Sequence, residues 1–299
     1  MEANNQNQTI MVVGSTGFLG MEICRRLLEA NKQVKGLVRA SSDETKVAAL
    51  KQMGVETVVG DVKDKTSLDN GFKGVYAVIS TASSTLSRQE GDSIETVDNA
   101  GQLNVVEAAI NAGVKHFVFV SFNHIPVGFP LQTAKRAVEN RIRESGMSYT
   151  ILQPTVFMEV WLGPALGFDY FNAKANIFGD GKNKISWISL ADVAAFAVAS
   201  LDNAEAINAV FELGGPDALS PLEVVKIFEE KSGKSFSLQF VPKEALKAQK
   251  EAATDSLSES FAGLMMGCAE GSEIDMNTTL KTFPFKLTSV REYAQRVLG

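Results

Sequence analysis

The run Ile10-Met11-Val12-Val13 passes directly into Gly14-Ser15-Thr16-Gly17-Phe18-Leu19-Gly20, and a helical pattern follows at once. In Leu19–Ala30 the residues Ile23, Leu27 and Leu28 share one helical face. A strand, a tight glycine turn and a helix in that order leave few folds open. Gly14 permits the turn, Gly17 lets backbone approach a diphosphate with no Cβ in the way, and Gly20 lets the helix pack closely on the sheet. The helix N-terminus then offers N–H groups and partial positive charge to phosphates. A plain tight turn needs similar letters; the place of this one, at the head of a repeated strand–helix alternation, favours dinucleotide binding.

The alternation continues. Strand-length runs rich in Val and Ile recur at Val34–Val38, Val55–Val59, Tyr76–Ile79, Phe117–Val120 and Tyr149–Leu152, as expected of strands buried on both faces of a parallel sheet. Between them lie helical patterns such as Val97–Ala112, with Gly113 and Gly146 placed as left-handed stops. The expected fold class is α/β, a Rossmann-type doubly wound parallel sheet. After Pro154 the rhythm changes to aromatics and clustered Gly, Asp and Asn, then mixed helices with a strand near Phe236–Val241. The expected organisation is a flexible tail over 1–8, an NAD(P)-binding domain over 9–155, and a small α+β substrate lobe over 156–299 with some segments returning to the sheet.

Composition removes several alternatives. With 29 basic against 35 acidic residues among 299, the net charge is −6, and no basic run offers a footprint for nucleic acid. No stretch of roughly 18 uninterrupted apolar residues suggests a membrane span. Cys24 and Cys268 are too few for a disulfide framework, and His116 and His124 too few for a His-based zinc site. The polar start lacks the apolar core of a signal peptide. These features lead to the expectation of a cytoplasmic, metal-free protein, a monomer or homodimer, with no nucleic-acid or membrane partner.

The choice of cofactor is read about 20 residues after the loop. A carboxylate there holds the ribose 2′-OH of NAD, whereas an Arg accommodates a 2′-phosphate. The sequence has Val38-Arg39-Ala40, so Arg39 favours NADP(H). Asp61, followed by Val62, either accepts from the adenine amine or caps the next helix. Thr81, Ala82 and Ser83 follow the fourth strand at the carboxyl edge, where a ligand runs in this architecture. With Gly14, Ser15, Thr16, Gly17, Phe18 and Leu19 they make up the expected cofactor contacts.

The loop Gly14–Gly20, Gly60-Asp61, Val97–Asn104, Gly113–Ser121, Leu152–Glu159, Ile188–Val193 and Leu213–Pro216 together resemble the atypical short-chain dehydrogenase/reductases, and within them the NmrA-like and isoflavone-reductase-like branch. That resemblance spans nearly the whole chain. It implies an NAD(P)-binding protein, in a branch that contains reductases, redox sensors and assembly factors alike. It also implies a Ser, and a Tyr four residues before a Lys. Here Lys135 stands at the matching place but Leu131 occupies the tyrosine position. The isoflavone-reductase-like members use the Lys itself as acid/base, which implies that role, or ribose binding, for Lys135. Ser121 matches the carbonyl-binding Ser, and His124, three residues on, is a further candidate for substrate or proton contact. Pro154, Val156 and Phe157 match backbone that closes over the nicotinamide.

Beyond them Met158, Trp161, Leu162, Phe168, Tyr170 and Phe171 either line an apolar pocket or build the core of the smaller lobe. A pocket of that kind suits a small apolar or aromatic substrate such as a quinone, a phenolic or an enone. The expected function is NADPH-dependent reduction of a small apolar carbonyl, enone or quinone. The alternative is an NADP(H)-binding sensor or assembly protein without turnover.

Overall fold

A computed structural model describes residues 8–87 and 89–299. The expected tail over 1–8 therefore lies outside the described residues except for Gln8. In chain order the elements are β1 (Thr9–Val13), α1 (Phe18–Glu29), β2 (Gln33–Val38), α2 (Glu44–Met53), β3 (Glu56–Val59), α3 (Lys65–Gly71) and β4 (Ala77–Ser80). A π-helical turn (Ile94–Asn99) runs into α4 (Ala100–Asn111), then come β5 (His116–Val120), α5 (Pro130–Arg143) and β6 (Ser148–Pro154). The remainder holds α6 (Met158–Trp161), β7 (Phe168–Asp169), β8 (Lys174–Phe178), β9 (Ile185–Ser186), α7 (Leu190–Ala199), β10 (Ala209–Leu213), β11 (Ala218–Leu219), α8 (Pro221–Ser232) and β12 (Ser237–Val241). Four helices close the chain: α9 (Lys243–Ala252), α10 (Ser256–Glu270), α11 (Asn277–Thr282) and α12 (Val290–Leu298).

The contacts divide the chain into two compact units. The first takes Met1–Ser121, Thr133–Leu152 and Ala194–Phe211; the second takes Phe122–Gln132, Gln153–Val193 and Glu212–Gly299. A seven-stranded sheet has the order β10-β6-β5-β4-β1-β2-β3. Its successive pairs from β3 to β6 are parallel. β10 runs the same way, since Asn208 N donates to Tyr149 O and, further along, Thr155 N donates to Leu213 O. The order reverses between β1 and β4, the switch point at whose carboxyl side ligands bind in such sheets. This is the α/β Rossmann-type sheet that the alternation predicts.

The apolar runs explain why these segments are strands. Every residue of β5 is buried, as are all four of β4, and Met11, Val13, Val78, Phe117, Phe119 and Ile151 form one core with the inner faces of α4 and α5. Each such side chain contributes about 1.5–3 kcal/mol by leaving water. Gly113 and Gly146 take the left-handed φ values of +70° and +78° expected of helix stops.

In the second unit β12 pairs β8 in parallel, β7 pairs β8 antiparallel, and β11 pairs β9 antiparallel. Helix α8 starts on a capping box, with Ser220 accepting from Glu223 N and the Glu223 carboxylate accepting from Ser220 N. Met158, Leu162, Phe168, Trp187 and Phe228 form its core. The aromatic cluster read from the sequence is thus mainly packing. Phe171 alone of that set is well exposed, at 60%.

His116, at the head of β5, is buried and shares a 2.9 Å hydrogen bond with Thr150 Oγ1. Burial pushes its pKa down to about 4 from an ordinary 6.5. The folded state therefore favours the neutral ring. That preference is fully present above pH 6.5 and is lost as pH falls through 6.5 towards 4, a change on the order of 3 kcal/mol. Denaturant titrations across this window should show the loss, and His116→Gln, which takes up no proton, should flatten it. An unchanged slope in the variant would assign the effect to other groups.

Candidate functional site

The loop after β1 is shaped by three close approaches. Gly14 has φ +88°, and a Cβ there would lie 2.7 Å from Thr81 Oγ1 and 2.8 Å from Ala82 N. The loops that follow β1 and β4 therefore touch at the switch point. A Cβ on Gly20 would lie 2.1 Å from the Gly14 carbonyl oxygen, so the first turn of α1 rests directly on the loop backbone. Gly17 is different: it is exposed, and the nearest atom to a Cβ there is Gly14 O at 3.3 Å. Ser15 is fully buried and donates to Leu37 O at 2.8 Å, tying the loop to β2.

Helix α1 begins after Gly17 with no side-chain cap. Its first-turn amides have no intrahelical acceptors and face the glycine loop, with the positive end of the helix dipole behind them. A loop without a side chain at its exposed position, in front of an uncapped helix terminus, fits a diphosphate. Phe18, 70% exposed, lies beside this terminus with Lys46 Nζ 5.6 Å from its ring centre.

Arg39, just after β2, is not the solvated side chain that a lone Arg suggests. Its Nη1 donates to Asp92 Oδ2 at 2.6 Å, and Lys63 Nζ donates to Asp92 Oδ1 at 2.7 Å. Burial opposes ionisation of Asp92, but hydrogen bonds from Lys63, Ser87 and Arg39 outweigh it and hold the pKa at about 2. Asp61 Oδ1 accepts from Lys63 N at 2.9 Å and so closes a turn. The cap of α3 is Asp64, which accepts from Thr66 N and Ser67 N. Of the two roles open for Asp61 in the sequence, helix capping falls away. Val62 is buried, Thr81 Oγ1 donates to Val13 O, and Ser83 Oγ donates to Thr85 Oγ1.

Lys135, on α5, is 5% exposed. Its Nζ donates to Val120 O at 3.2 Å and lies 4.8 Å from the centre of the Phe119 ring. It has no other hydrogen-bond acceptor among the described residues. Burial pushes its pKa below the ordinary lysine value, while the charges of Asp98 and Glu139 act to raise it and that of Arg136 to lower it. Asp98 stands on the π turn, fully buried. Its Oδ2 accepts from Ser84 N and Ser84 Oγ, and its Oδ1 has no donor. An orphaned buried acceptor close enough to bias a buried ammonium marks this corner as polar, ordered and incomplete.

Ser121 is buried and donates to Glu139 Oε1 at 2.6 Å; Arg136 donates to both of them. Glu139 sits one turn beyond Lys135 on α5. Leu131, at the tyrosine position, is buried and its amide donates to Ser260 Oγ. The second unit carries the remaining expected residues. His124 is exposed. Pro154 is buried, and Val156 and Phe157 are half-buried, with Ile188 N donating to Val156 O.

Sequence reasoning missed Asp92, Lys63, Asp98 and Glu139. Only Glu139 carried a signal, its four-residue spacing from Lys135. A cavity of about 30 Å³ in the second unit, lined by Trp161, Leu162, Phe168, Trp187 and Cys268, has room for about one water. Among the described residues no helix is long and apolar enough to cross a membrane, and no group of three or more His, Cys, Asp or Glu is placed to hold a metal ion.

The model of the NmrA-like family matches residues 6–294 of the chain. The chain belongs to this family. It is 30% identical over 262 residues to the NAD(P)H azoreductase of Xenophilus azovorans, covering 85% of this chain and 86% of that protein. It is 29% identical over 246 residues to the photosystem II assembly factor Ycf39 of Trieres chinensis, covering 80% of this chain and 74% of the other. Among solved structures, the NADPH-dependent quinone oxidoreductase QOR2 of Escherichia coli, complexed with NADPH, superposes with a TM-score of 0.79 at 24% identity, covering 97% of this chain and all of that one. That likeness shows the shared fold.

The contact of Gly20 with the loop yields a direct test. Gly20→Ala places a methyl group on the Gly14 carbonyl and forces backbone apart, so stability should fall by about 3 kcal/mol in denaturant unfolding. A loss under about 0.5 kcal/mol would mean that the loop yields freely.

Proposed function

We propose that the protein is an NADP(H)-dependent reductase of a small apolar carbonyl, enone or quinone. The observation that carries this reading is Lys135: a buried ammonium with one backbone partner, at the carboxyl end of β5, in a chain that also has an open glycine loop before an uncapped helix. The loop Gly14–Leu19 receives the diphosphate, Thr81, Ala82 and Ser83 border the switch point, and Asp61 and Val62 take the adenine side. Arg39 reads the 2′-phosphate. Pro154, Val156 and Phe157 are assigned to the nicotinamide side by the family pattern.

When bound, the reduced nicotinamide supplies the hydride. The chain supplies the proton and the orientation. Lys135 donates a proton from Nζ to the substrate oxygen as negative charge develops there, and Phe119 and the backbone of Val120 hold that nitrogen in place. Burial weakens the hold of Lys135 on its proton, which suits a donor working nearer neutral pH than an exposed lysine. The Ser121 proton is engaged by Glu139, so Ser121 meets a substrate oxygen only by turning that proton from the carboxylate to the substrate, and the exposed His124 is the second candidate to orient it. A small aromatic molecule, pinoresinol, is bound with NADP+ in the related structure of AtPrR2, which supports the apolar, aromatic character of the substrate.

A second reading is favoured by Leu131. With a buried leucine in place of the tyrosine acid, and with an assembly factor among its relatives, the chain also fits a protein that binds NADP(H) without turnover. Such a sensor needs unequal affinities for the oxidised and reduced cofactor.

A titration with NADPH and NADP+, followed by a screen of quinones, enones and azo compounds for oxidation of NADPH, separates the two. Turnover by any acceptor supports the reductase; tight, unequal binding with no turnover supports the sensor. In the reductase, Lys135→Met should lower turnover by about 100-fold or more. The wild-type rate should fall as pH rises through a value below the usual lysine 10.5, because the proton donor is then lost. Unchanged turnover in a Lys135→Met protein that still binds NADPH would remove Lys135 from the chemistry.

A further inference from the structure

Two cations meet at the tips of adjacent strands. β2 and β3 are parallel with Val38 opposite Val59, and Gly60 N donates to Val38 O at 2.9 Å. Arg39 and Lys63 follow these tips, and their charged ends converge on the two oxygens of Asp92. The Asp92 side chain is 2% exposed, whereas those of Arg39 and Lys63 are each 30% exposed. The carboxylate thus faces inward and both cations face outward.

Neither cation is saturated. Arg39 uses only Nη1 for Asp92; Nε and Nη2 have no acceptor among the described residues. Lys63 Nζ has one hydrogen bond, and the nearest further carboxylate oxygen, Asp61 Oδ2, is 3.9 Å away. The other Asp61 oxygen is taken by the Lys63 amide. A purely structural anchor for Asp92 is complete with one cation. Here two are fixed side by side with donors pointing to solvent, at the carboxyl edge where ligands of this sheet lie. A phosphate monoester, with charge near −2 and three acceptor oxygens, matches such a pair.

We propose that Lys63 is a second ligand for the 2′-phosphate of the cofactor and, with Arg39, determines the preference for NADP(H) over NAD(H). The inference rests on the cofactor reading given under Proposed function. Lys63 meets the phosphate as a point charge, and Arg39 meets it with the free edge of its fork. An unphosphorylated 2′-OH gains little from two cations already oriented by Asp92, so the effect of Lys63 falls on the phosphorylated cofactor alone.

The test is a fluorescence titration of the full chain with NADPH and NADH, and a competition with adenosine 2′,5′-bisphosphate against 5′-AMP. Wild type, Lys63→Met, Lys63→Arg and Arg39→Met are compared. Lys63→Met should weaken NADPH and the bisphosphate by about ten-fold and leave NADH and 5′-AMP unchanged, and Lys63→Arg should restore most of the loss. Retained NADH affinity also shows that the variant is folded. If wild type prefers NADPH and Lys63→Met keeps that preference in full while Arg39→Met loses it, Lys63 is not a phosphate ligand and the inference is overturned. If wild type binds NADPH and NADH equally, the cofactor reading fails and the inference falls with it.

Discussion

The approach of α1 to the backbone of its own preceding loop is the constraint on which the candidate site depends. With hydrogen at position 20, the helix starts in contact with the Gly14 carbonyl. Any side chain at Gly20 would lift the helix away. Any side chain at Gly14 would push against the segment after β4, the other wall of the switch point. Two steric requirements, one at Gly20 and one at Gly14, therefore set the approach of the helix and the spacing of the two loops.

The polar groups around Lys135 follow a different rule. Ser121, Glu139 and Arg136 form a satisfied cluster in which donors and acceptors largely meet. Lys135 and Asp98 do not reach that state: the ammonium has one carbonyl, and Asp98 keeps one oxygen without a donor. Buried polar groups in proteins are rarely left so. Incomplete hydrogen bonding thus stands directly beside a complete cluster at the carboxyl end of β5. The aromatic cluster of the second unit, Phe171 apart, is by contrast packed around a water-sized cavity.

The sequence displays β1, β4, β5 and β6 because their residues are largely buried on both faces, whereas β2 and the edge strand β3, the latter with no buried residue, are marked by their Val and Leu alone. β10 escaped because Ala209, Phe211 and the exposed Val210 and Glu212 give an edge strand only half buried. Strands of two residues such as β9 and β11 fall below any periodic signal. The π turn overlaps the start of the helical pattern over Val97–Ala112 and leaves no mark there, since the apolar set Leu103, Val106 and Ile110 lies wholly in α4. At the site, the glycine loop was legible because backbone geometry restricts the residue type. The partner of Arg39 was not: Asp92 lies 53 residues away in an irregular segment, and only the fold brings them together. Its carboxylate joins Arg39 to Lys63 in a two-cation arrangement.

The inward hydrogen bond of Ser15 has a consequence for association. A glycine-rich loop is entropically costly to order, and a ligand that must order it loses that amount of affinity. Here the side chain of Ser15 fastens the loop to the Leu37 carbonyl of β2, and the bond is buried. The loop is thus held to the sheet by the fold itself. Its conformational entropy is charged to folding, and association starts from a preorganised receptor.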